Sequence, residues 1–85
     1  MKLINKLKDF EGNYAFVRWV NSEEYGKISY VGEDFIQFDI INVADMEYYE
    51  TAFIKDSLIL EVLIGGSDIS RIIAEVSSKL TDVNI

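Results

Sequence analysis

The chain has 85 residues, 49% of them hydrophobic and 13% aromatic, enough apolar material for one packed core and too little length for two. This composition excludes a disordered chain, which lacks the apolar surface to offset the entropy of ordering. Cysteine and histidine are absent and the formal net charge is -7, so disulfides, zinc sites of the usual kind and histidine-dependent triads are all set aside.

Leu3, Leu7 and Phe10 fall at i, i+4 and i+7 with Ile4 beside them, which predicts a short amphipathic helix within residues 1–12, ended by Gly12 and Asn13. The segment lacks the apolar core of a signal peptide, and no run reaches the ~18 apolar residues of a membrane span. The expectation is a soluble, cytoplasmic protein with no membrane association. Residues 14–20 are aromatic and β-branched and predict a first strand. A polar turn is expected at 21–24, a second strand at 26–31, and a turn at Gly32-Glu33-Asp34.

The third strand is expected at 35–43, with Ile36, Phe38 and Ile40 on one face and Phe35, Gln37, Asp39 and Ile41 on the other. A connector at 44–47 leads to a fourth strand at 48–54, and Lys55-Asp56-Ser57 breaks the chain before a fifth at 58–64. Gly65-Gly66 stops the sheet. Ser67 then caps a helix over 67–80, with Asp68 in its first turn and an apolar stripe of Ile69, Ile72, Ile73, Val76 and Leu80. Residues 81–85 are expected to form a frayed tail. The reading is one domain over 1–85: an N-terminal helix (1–12), five strands (13–66), a C-terminal helix (67–80) and the tail.

The placement of charge says more than its sum. Between residues 13 and 66, Arg18, Lys27 and Lys55 face ten acids, while the flanking segments nearly balance. Phosphate binding draws its affinity from Lys and Arg displacing counterions, so this region is poor for nucleic acid. Trp19, Tyr14, Tyr25, Tyr30, Tyr48 and Tyr49 lack interleaved bases, which favours packing over a stacking platform. Asp45, Glu47 and Glu50 lack the spacing of a calcium loop and suit a solvated connector. Asp34 and Asp39 are the one acid pair worth naming, but no base or nucleophile accompanies them. Neither an enzyme, a cofactor nor a metal is expected. The C-terminal stripe is expected to cap an open end of the chain's own barrel, with presentation of Ile69, Ile73, Val76 and Leu80 to a protein partner or a second ring as the other reading.

A short helix followed by five short strands resembles the Sm-like family, which includes the LSm proteins and Hfq. Gly26-Lys27-Ile28 is similar to the Gly-x-hydrophobic opening of that family's first motif, and Glu33-Asp34-Phe35-Ile36-Gln37 to its remainder, with one residue inserted at Gly32. Phe53-Ile54-Lys55-Asp56-Ser57-Leu58-Ile59 resembles the second motif, with Lys55-Asp56 where Arg-Gly or Lys-His is usual. About sixty residues share the pattern, that of a divergent phage or bacterial member, and the C-terminal helix lies outside the minimal family fold.

The resemblance implies a strongly bent five-stranded small barrel and a homo-oligomeric ring of about five to seven subunits. In it the fourth strand of one copy pairs with the fifth of the next. Tyr49, Thr51, Phe53, Leu58, Leu60 and Val62 would then lie at the interface. It also implies RNA at the pore, with Phe35 or Ile36 stacking on a base, Gln37 on a base edge and Lys55 on phosphate or base. Asp56, Glu33 and Asp34 around that mouth oppose it. The expected function is thus a ring-forming binding or assembly module. The alternative is a small barrel outside any ring that meets protein partners through its aromatic face and terminal helix.

Overall fold

The computed structural model describes residues 2–82. Helix α1 (Leu3–Leu7) runs into a 3-10 turn at Lys8–Phe10, followed by strands β1 (Tyr14–Trp19), β2 (Ser22–Val31), β3 (Phe35–Asn42) and β4 (Glu47–Lys55). A second 3-10 turn at Asp56–Leu58 precedes β5 (Ile59–Leu63), and helix α2 (Ser67–Asp82) ends the chain's described part. The strands form one antiparallel sheet in the order β4-β3-β2-β1-β5. The fold is mainly β, and the sheet does not close: β4 and β5 are its two edges.

Strand periodicity divides the apolar residues between the two faces of this sheet. One face carries Ala15, Val17, Ile28, Val31, Ile36, Phe38, Ile40, Ile54 and Ile59, which with Ile4 and Leu7 of α1 make the main core. Every strand contributes to this cluster or packs against it. Trp19 meets the Phe38 ring edge-on with centroids 6.1 Å apart. Full burial of a large side chain such as Phe38 contributes about 1.5–3 kcal/mol. On the opposite face Ile41 and Met46 pack with Ile72 and Val76 of α2, flanked by Tyr14 and Tyr25.

Helix α2 therefore spends its stripe on its own sheet. Ile69, Ile72 and Val76 are buried and Ile73 is 40% exposed. The helix thus packs within its own chain, but on the sheet face opposite the main core and not as a cap on a barrel end, since the sheet does not close. Ile69 and Val76 keep no free surface for a partner; the Leu80 side chain lies outside the described residues.

Several boundaries differ from the sequence reading. The turn after β1 is shorter than expected, because Asn21 takes a left-handed conformation (φ 70°) and closes the hairpin at Trp19↔Ser22. Glu23 and Glu24 are thereby strand residues paired with Arg18 and Val17. Lys55 belongs to β4, paired with Phe35, and the break that follows is helical. Of the expected tail, Thr81 and Asp82 continue α2, and 83–85 lie outside the described residues. None of the described helices is long and apolar enough to cross a membrane.

Candidate functional site

Cross-strand register brings three of the four residues expected at a pore onto one face. Phe35 is paired with Lys55, Gln37 with Phe53 and Asp39 with Thr51, so all six side chains stand on the face away from the main core. Ile36 is paired with Ile54 and is 0% exposed within that core, which removes it as a stacking residue. Phe35 remains. Its ring lies 5.8 Å from Tyr30 and 6.3 Å from Phe53, a run of three aromatic rings whose outer members are exposed. Gly32 makes room for it, since a Cβ there would stand 2.6 Å from the Phe35 ring.

Asp39 is the polar centre of the face. Ser29 donates its hydroxyl to one carboxylate oxygen, while the Thr51 hydroxyl donates to the other at 3.0 Å and the Gln37 amide reaches it at 3.5 Å. A register shift between Ile28 and Tyr30 places Ser29 for this contact. Burial pushes the Asp39 carboxyl up, but hydrogen bonds from Ser29, Thr51 and Gln37 and the charge of Lys27 outweigh it and hold the group below its ordinary value. Asp39 is a carboxylate locked by local donors. Its supposed partner Asp34 stands in the β2–β3 turn, where its carbonyl accepts the Asp56 N–H at 2.8 Å. The two acids form no pair of the kind that shares a proton.

The expected interface residues line both sheet edges. On β4, Tyr49, Thr51 and Phe53 are exposed, Phe53 by 69%. At the other edge Leu58 sits in the 3-10 turn, Leu60 is 64% exposed and Val62 packs half-buried against the core. Arg18 ties β5 inward, bridging Glu61 at 3.1 Å and Glu23 at 3.6 Å. Of the connector acids, Asp45 turns back on its own loop, its carboxylate accepting the Glu47 N–H at 3.2 Å. Among the described residues no group of three acids is placed to hold a metal ion.

A second feature was hidden from sequence reasoning. Phe16 of β1, Glu23, Glu24 and Tyr25 of β2, Ile41, Asn42 and Val43 at the end of β3, and Tyr49 of β4 line an open groove of about 570 Å³. Its residues span 34 positions of the chain and converge only through the register of four strands. The one signal that could have found it is Asn21: with the turn placed there, Glu23 and Tyr25 fall on the face of Arg18 and Phe16.

No family model, curated protein or solved structure matches the chain.

Proposed function

We propose that the chain is an Sm-like assembly module whose copies join through the β4 edge of one and the β5 edge of the next, closing into a ring. The observation that carries this reading is the strand order: the two strands that would meet are the two unpaired edges of the sheet, and both carry exposed apolar side chains. Exposed apolar edges are aggregation hazards unless paired or covered. A head-to-tail contact that closes covers both at once.

RNA at the Phe35 face is the weaker part of this proposal. Lys55 is its only nearby cation on β4, with Glu33, Asp34 and Asp56 in the adjoining turns. The alternative, a protein partner met through the aromatic face and α2, loses support on its helix half, because the stripe is buried within the chain.

Mass measurement in solution tests the assembly. A closed species of about five to seven copies at micromolar concentration is expected, and a protein that stays monomeric there sinks the proposal. Short U-rich and A-rich oligonucleotides titrated at low salt test the pore. Any specific binding should be lost in Lys55→Ala, and silence at low salt removes RNA from the reading.

A further inference from the structure

The groove has the chemistry of a receptor for positive charge, with Glu23 on the outer face of β2 and Glu24 beside it on the other. Its walls are aromatic and aliphatic: Phe16 and Tyr25 pack with centroids 4.8 Å apart, and Tyr49 stands on the opposite strand. Its acids are Glu23 and Glu24. The Tyr49 hydroxyl donates to the Glu24 carboxylate at 3.3 Å, which holds that carboxylate against the aromatic wall. Arg18 competes only partly for Glu23, because its closer contact, 3.1 Å against 3.6 Å, is to Glu61. Lone pairs on both acids are left for an incoming donor.

We propose that this groove binds an arginine or lysine side chain presented by a basic peptide segment of a partner protein. A guanidinium or ammonium gains from ring faces as well as from carboxylates, and its methylene stem lies well against apolar walls such as Val43. Charge selects the occupant further. The strand region holds three bases against ten acids, so anionic ligands are repelled and cationic ones steered toward it. The groove is open rather than enclosed, which suits a side chain carried on an extended backbone better than a free small cation. All the lining residues come from one copy, and of them Tyr49 alone is shared with the expected β4 contact.

The test uses the full chain and a fluorescent peptide of alternating arginine and glycine, followed by anisotropy at low and physiological salt. Binding is expected, with an aspartate-glycine peptide giving none. Glu23→Gln combined with Glu24→Gln should weaken binding about tenfold, while Glu33→Gln combined with Asp34→Asn, which removes the same charge from the β2–β3 turn, should change it about twofold or less. Tyr49→Ala keeps every acid and should still weaken binding about threefold or more. Circular dichroism should be unchanged in all three variants, and mass in solution in the two charge-changed ones. Equal losses in the two charge-matched variants would reduce the effect to bulk attraction and overturn the proposal. Unaltered binding in Tyr49→Ala, or no binding of the arginine peptide at low salt, would overturn it as well. A change of mass in Glu23→Gln combined with Glu24→Gln would assign the groove to a second copy instead.

Discussion

Thr51 on β4 donates its hydroxyl to Asp39 on β3 at 3.0 Å, joining the edge strand to a carboxylate that Ser29 and Gln37 also hold on the outer face. The contact gives the sheet a pH dependence with a definite sign. The folded-state pKa of Asp39 lies below its ordinary 3.8, so the carboxylate contributes stability that is fully present above that value and is lost as pH falls through the folded pKa. A carboxyl NMR titration should find the Asp39 midpoint below 3.8, and Ser29→Ala or Thr51→Val should each move it upward. Asp39→Asn should therefore lower stability at neutral pH and cost progressively less below about pH 4. A midpoint unmoved by either donor deletion would refute this account of the network.

Gly26 makes the second prediction, because two effects oppose each other there. Glycine within a strand costs conformational entropy, so alanine gains roughly 0.5–1 kcal/mol where there is room. At Gly26 there is none: an added Cβ would overlap the Asp39 carbonyl oxygen and stand 2.8 Å from the Phe38 ring. Backbone cannot swing aside as a flexible side chain can, so the clash wins. Gly26→Ala should destabilise the fold by roughly 1–3 kcal/mol in urea titration. A neutral or stabilising result would mean that β3 does not approach β2 this closely.

How far the sequence disclosed this molecule follows from the range of the interactions involved. The strand faces around Ile36, Phe38 and Ile40 and the α2 stripe were legible because alternation and helical spacing are local. The early hairpin was not, since one left-handed residue, Asn21, decides whether Glu23 and Glu24 are turn or strand. Ile41 was read onto a half-solvated face; α2 buries it, and that packing joins residues about thirty positions apart. Among the candidate site residues, Phe35, Gln37 and Lys55 share a face as their spacing suggested, and Ile36 does not, because alternation turns it inward. The Asp39 network escaped notice for a third reason. Its donors Ser29 and Thr51 lie on two other strands, and a register shift in β2 aims one of them.

Helix α2 offers a contrast between adjacent residues. Ile72 is 2% exposed beside Ile41 and Met46, whereas Ile73 is 40% exposed. Ile72→Ala should cost about 2–5 kcal/mol through lost burial and the cavity left behind, and Ile73→Ala under about 1 kcal/mol. Amide exchange should show α2 opening in the first variant while the main core stays protected. Equal costs would mean that the helix rests on the sheet by a different face.

The proposed assembly predicts which side chains carry the contact. Phe53 on β4 is 69% exposed and Leu60 on β5 is 64% exposed, and each stands on an edge strand of the sheet. Joining the two edges covers apolar surface that would otherwise invite unspecific pairing. Phe53→Glu and Leu60→Glu should each shift assembly to protein concentrations about tenfold or more higher, because each sets a carboxylate where an apolar side chain would be covered. Glu33→Gln, in the β2–β3 turn and on neither edge strand, should leave the midpoint where it is. Dilution followed by mass measurement gives the midpoints. Assembly unmoved in both edge variants would exclude the β4–β5 contact.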